Sequence, residues 1–195
     1  MTRKALRPVA ALALILACPM ACTENKQVDR APIPATAAPP YLCEYIPLRA
    51  VELMTGVHEP LVRGGFNLSL ASGIGSGTCA MYQRSGDRLK VLLVSMGPGG
   101  NVADVQEKLA NGAKLLPDIV PGGRGYYFTD SVSKTNTAYA MLVRDEAMIN
   151  IQLEIGVEGR DNAADVVALM KLIAPKLITD ASAPSKSPSH APTKG

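Results

Sequence analysis

Tryptophan is absent from this 195-residue chain, and aromatic residues make up only 4% of it. A chain so poor in ring faces cannot lay out a stacking platform for single-stranded nucleic acid. Histidine is nearly as scarce, with only His58 and His190 present. That count excludes a multi-histidine metal site. It also leaves His58 without a short motif to supply the nucleophile and carboxylate of a triad. No Cys-x-x-Cys occurs, which argues against a redox pair or a cysteine-rich metal centre. Charge of one sign is lacking too. The formal +3 comes from Arg3, Lys4 and Arg7, and without them 17 basic residues face 17 acidic ones. A balanced chain has no general electrostatic reason to seek nucleic acid.

The N-terminus, by contrast, is rich in signal. Arg3, Lys4 and Arg7 precede an apolar run from Pro8 to Ala17. That run is too short for a membrane-crossing helix, which takes ~20 residues. Small residues, two cysteines and polar Thr23-Glu24-Asn25-Lys26 follow. The pattern is that of a secretory signal peptide. Its end resembles the lipobox of bacterial lipoproteins, in which a small residue precedes the cysteine that receives the lipid. Ala21-Cys22 fits, although Pro19 stands where that pattern has leucine. Cys18, after Ile15-Leu16-Ala17, is the alternative. The expectation is a leader over residues 1–21 and a lipid such as palmitate on Cys22. Residues 22–40 are rich in Pro, Ala and Thr and read as an extended tether. Residues 41–178 read as the folded domain, and residues 179–195 as a disordered Ser/Pro/Lys tail.

Within the domain, hydrophobic periodicity sets the elements. A short helix follows Cys43, with Pro47 suited to its start, Gly56 to its end, and Val51, Leu53 and Met54 to its buried side. Residues 57–77 read as glycine-rich loop around an irregular strand at 66–70. Strands are expected over 78–84 and 89–96, the second apolar on both faces and therefore central. A helix capped by Asn101 follows, with a stripe of Val102, Val105, Leu109 and Leu116. Further strands are expected at 126–128, 138–144 and 147–155. The last alternates cleanly: Ala147, Ile149, Ile151, Leu153 and Ile155 face one way, Met148, Asn150, Gln152 and Glu154 the other. That predicts an antiparallel strand with one wet face. A final helix runs from Asn162, capped by Asp161, to Leu177. The sum is an α+β domain with a largely antiparallel sheet of about five strands and helices mainly on one face. Ala80-Met81, Gly97 and Asp104 find echoes in Ala140-Met141, Gly156 and Asp165, which suggests two β-β-α units.

Candidate sites are few. Cys43 and Cys79 remain once the leader is removed, and outside the cytoplasm such a pair is expected to bond. Closing that loop stabilises by about 3–4 kcal/mol. The loop Gly73-Ile74-Gly75-Ser76-Gly77 lacks the Lys-Ser/Thr of a phosphate loop. Gly97-Pro98-Gly99-Gly100-Asn101 joins a strand to a helix start, where an anion can sit, but it reads first as a turn. Asp104 and Asp165 read as helix-start carboxylates, and no carboxylate pair is spaced as acid and base. Six methionines in the domain read as core filling rather than as a copper site. No catalytic residue, metal or cofactor is expected.

Taken together these residues resemble a family. A lipoprotein-like leader and a Pro/Ala/Thr tether lead to Cys43, which opens a short helix ending at Gly56. A second cysteine opens a strand, Thr78-Cys79-Ala80-Met81-Tyr82, and the chain ends on an amphipathic helix. This is similar to actinobacterial envelope lipoproteins that carry an extracytoplasmic domain of unknown function. Members often have Cys-x-Leu-Leu and Cys-x-Trp, where this chain has Cys43-Glu44-Tyr45-Ile46 and Cys79-Ala80-Met81. The resemblance implies an α+β fold, a Cys43–Cys79 disulfide and a place outside the cytoplasm on a lipid anchor. The expected function is a non-enzymatic module that binds a protein, lipid or cell-wall ligand of the envelope. An envelope enzyme using carboxylates, a secreted inhibitor or accessory subunit, and a lipid or ligand carrier are the alternatives.

Overall fold

The alternation over residues 147–155 places one strand at the middle of everything else. The computed structural model describes residues 28–69, 74–130 and 134–178. In chain order the elements are β1 (Tyr41–Leu42), β2 (Ile46–Pro47), α1 (Leu48–Thr55), β3 (Leu61–Asn67), β4 (Ser76–Tyr82), β5 (Lys90–Pro98), α2 (Val102–Ala110), β6 (Lys114–Leu115), β7 (Arg124–Thr129), β8 (Ala138–Arg144), β9 (Ala147–Leu153) and α3 (Asn162–Leu177). Seven strands form one antiparallel sheet in the order β3-β4-β5-β9-β8-β7-β6, with β9 fourth of the seven. The fold is α+β as expected, but the sheet is larger than five strands. The additions are β3 and the two-residue β6. β1 and β2 pair separately.

Two cores flank the sheet. On one face Ile149, Ile151 and Leu153 of β9 lie beside Val94 and Leu92 of β5 and Ala140 and Leu142 of β8. Met54 of α1 and Leu169, Met170 and Ile173 of α3 close this face, and all four are fully buried. On the other face Val105 of α2 packs on Tyr126 and Val143, with Leu109, Met141 and Met148 around them. The face expected to be wet is therefore half covered. Asn150 is only 9% exposed because α2 lies over that half. The helices are thus split, α1 and α3 on one face and α2 on the other.

The suspected repeat holds only as an order of elements. β4-β5-α2 and β8-β9-α3 both exist, and β5 pairs with β9. A two-fold axis normal to the sheet between those strands would keep α2 and α3 on one face, and they are on opposite faces. The matched methionines disagree as well. Met81 is fully buried in the α1/α3 core, whereas Met141 faces α2. Alternate strand residues face opposite sides, so the echoed Ala-Met pairs are one residue out of phase. The short turn after β5 explains the split. At Gly100 a Cβ would lie 2.7 Å from the Ala147 carbonyl, so the chain crosses tightly over the β8–β9 turn. Residues 154–161 after β9 have room to return to the other face.

α2 also ends earlier than its stripe suggests. It stops at Ala110, Val102 is 39% exposed, and Leu116 belongs to the opposite core. Both long caps are as read: Asn101 accepts from the Ala103 N–H at 2.9 Å, and Asp161 from the Ala164 N–H at 3.0 Å. α1 ends at Gly56, whose φ of 67° is the left-handed cap conformation.

Candidate functional site

Cys22 and Cys18 lie outside the described residues, as does the tail. Cys43 and Cys79 are bonded, with Cα atoms 6.2 Å apart. Cys43 occupies the turn between β1 and β2, and Cys79 is a fully buried residue of β4. The bond therefore ties the entry of the domain to the sheet. Beside it Tyr45 meets Phe66 edge to face at 6.0 Å.

A group that sequence reasoning missed lies where α3 begins. Arg160 and Asp165 form a two-pronged ion pair at 2.7 and 2.8 Å, with side chains only 3% and 7% exposed. The same guanidinium donates through Nη1 to the carbonyls of Asp29 and Ala31. Asp29 in turn accepts from Arg49 of α1 at 2.7 Å and from the Ala31 N–H at 2.9 Å. These bonds hold residues 28–40 against the domain. Ile33 is 7% exposed and Ala37 packs on the same core. The segment read as an extended tether is thus docked along much of its described length. Its single bulky aliphatic after Val28 was the available signal, since one apolar side chain among prolines has no periodicity to betray it. The carboxylate of Asp29 titrates below its ordinary range because of the Ala31 N–H and the Arg49 guanidinium. Arg160 is pushed up by its bonds to Asp165. Asp165 is consequently a pairing residue as well as a first-turn carboxylate. Asp104, its supposed equivalent, is exposed at the start of α2.

Clefts flank the docked segment. One of about 330 Å³ lies between Arg30, Pro32 and Ile33 and the first turns of α3. Another of about 280 Å³ is lined by Val28, Leu53, His58 and Val157. His58 Nδ1 is 3.4 Å from Glu52 Oε1, with its side chain 70% exposed. A third recess, about 500 Å³, lies between Leu115, Leu116 and Tyr127 and the Val167 side of α3.

The outer sheet face carries the remaining chemistry. Tyr126, Phe128 and Tyr139 stack in a ladder with centroids 5.2–6.3 Å apart. Burial raises the hydroxyls of Tyr126 and Tyr139 above their ordinary value, so the ladder stays neutral. Phe128, Tyr139, Gln152, Leu93, Ala80 and Arg63 form one row across the sheet. Phe128 is 40% exposed beyond the cover of α2.

Each glycine loop gives part of its length to a strand, and Gly73 lies outside the described residues. Gly77 lies within β4 and Gly97 within β5. The start of α2 opens on a recess lined by Asp104, Glu107 and Lys108, where two carboxylates outnumber the one ammonium. Met54, Met81, Met96 and Met170 fill the main core, and Met141 and Met148 pack under α2. Among the described residues no three His, Cys, Asp or Glu side chains converge as a metal site. No helix among them is long and apolar enough to cross a membrane. Comparison of the chain with protein-family models, with curated proteins and with solved structures finds no match.

Proposed function

We propose that this chain is a lipid-anchored extracytoplasmic module of a bacterial envelope, with its lipid on Cys22, and that it works by binding another envelope component rather than by catalysis. One observation carries the reading: the Cys43–Cys79 bond, in a chain whose first residues have the pattern of an export leader. A disulfide persists where the surroundings are oxidising, which is where such a leader sends a chain. The resemblance to actinobacterial envelope lipoproteins points the same way. Binding is favoured by the outer sheet face, where exposed Phe128 and half-buried Tyr139 and Gln152 offer rings and polar groups on a surface rather than in a reaction cleft. Asp165, the one deeply buried carboxylate among the described residues, has both oxygens engaged by Arg160.

Metabolic labelling with a fatty-acid precursor tests the anchor. Label should appear on the intact protein, survive Cys18→Ser and vanish in Cys22→Ser. Absence of label from the intact protein, or label that survives Cys22→Ser, overturns the assignment. A photo-crosslinking residue at position 128 tests the surface in intact cells. An adduct of one mass, competed by excess purified protein, is expected, and its chemistry identifies the ligand as protein, lipid or glycan. No competable adduct removes this face as the binding surface.

A further inference from the structure

We propose that the lipid and the C-terminal tail leave this domain at opposite ends, so that the domain stands on the bilayer through the end where α3 begins. The proposal rests on the lipid anchor at Cys22. Were residues 22–40 a free tether, the chain would enter the domain at Tyr41. The Tyr41 ring lies under Lys176 at 4.8 Å, beside the last turn of α3. The anchor would then pull on the same end from which the tail departs after Ile178. The docked segment reverses this. From Tyr41, whose hydroxyl donates to the Ala37 carbonyl, residues 28–40 run back along α3. They pass Ala168 and Ala164 at Ile33 and end at the guanidinium of Arg160. Val28 then lies beside Leu53, Gly56, His58 and Val157. α3 has 16 residues, so this return moves the anchoring point by about 24 Å.

Six residue steps separate Cys22 from Val28, and a fully extended chain covers at most about 22 Å in that distance. The end bearing Val28, His58 and the loop 157–160 is thereby confined near the headgroups. Leu177, the last residue of α3, lies at the far end of that helix. The partner of this end is the bilayer surface itself.

The test uses the full lipidated protein in vesicles whose headgroups carry an energy-transfer acceptor. A donor fluorophore is placed by a noncanonical residue at Glu158 or at Lys176, both exposed. Transfer should be greater from 158. Arg160→Ala should bring transfer at 158 to or below that at 176. Ile33→Asp, which leaves the Arg160–Asp165 pair in place, should do the same. Spin-label distances in the same protein without vesicles provide the second reading. The 28–158 distance should be shorter than the 28–176 distance by roughly the length of α3. Anchored protein with greater transfer from 176 overturns the proposal alone. Equal 28–158 and 28–176 distances also overturn it alone. A chain without lipid on Cys22 removes the anchor reading and this proposal together, and the spin-label distances then show whether docking survives without it.

Discussion

Arg160 concentrates the unusual chemistry of this domain in one side chain. It serves a buried carboxylate and two backbone carbonyls at once, which suits the planar five-donor fork of a guanidinium. Breaking a buried pair by removing one partner is costly, because the other charge is left unpaired. Arg160→Ala should therefore lower stability by about 3–5 kcal/mol in chemical denaturation. Replacing both members together, Arg160→Met with Asp165→Leu, should cost far less of the fold while still freeing residues 28–40. Equal losses for the single and double variants would contradict that account. Asp29 adds a pH dependence. Its folded value is depressed, so its contribution is complete above its unfolded value of about 4 and drains away as pH falls through the folded one. Amide exchange at Asp29, Arg30, Ala31 and Ile33 should be unchanged between neutral pH and pH ~5 once the intrinsic rate is divided out. It should quicken at more acid pH, and faster opening toward neutral pH would refute the sign.

Elements were legible in the sequence wherever a period could be counted. α3 runs from Asn162 to Leu177 behind its Asp161 cap, β8 spans Ala138–Arg144, and Ala147, Ile149, Ile151 and Leu153 are buried as the alternation requires, although β9 ends at Leu153 and Ile155 beyond it is only half-buried. The failures have physical causes. β3 was hidden because Gly64-Gly65 break its pattern and five of its seven residues are exposed, so nothing alternates. β6 is too short to have a period. The docked segment before Tyr41 is held by an ion pair and carbonyls, which hydrophobic patterning does not see. The glycines of β3 are informative once placed. Gly64 has φ of +96° and a Cβ there would lie 2.1 Å from the Thr78 carbonyl oxygen. At Gly65 a Cβ meets nothing within 4 Å. Gly64→Ala should cost at least about 1–3 kcal/mol of backbone strain. Gly65→Ala should be neutral or slightly stabilising, since an open extended position loses only unfolded-state freedom. Thermal unfolding of the two neighbours side by side checks this, and similar losses in both would mean that β3 does not run as described.

At the scale of the whole molecule, the N-terminal part is fastened twice, at Asp29 through Arg160 and at Cys43 through Cys79. The two fastenings differ in reach. The ion-pair cluster governs a segment that contributes Ile33 and Ala37 to the core. The disulfide closes a loop of 36 positions that contains β2, α1 and β3. Ile46, Val51 and Met54 inside that loop are fully buried in the main core. Reduction should therefore not peel off a flap. It should lower the stability of the entire domain, because the opened loop gains its freedom only when the core itself unfolds. The loop-closure cost of about 3–4 kcal/mol then corresponds, for a domain of this size, to a fall in Tm of roughly 10 °C. Calorimetry of the Cys43→Ala/Cys79→Ala protein should show one cooperative transition at the lower temperature. Two separate transitions would mean that α1 and β3 form an independently melting unit. An unchanged Tm, or two reactive thiols in the native mature protein, would mean that the bond does not hold the fold.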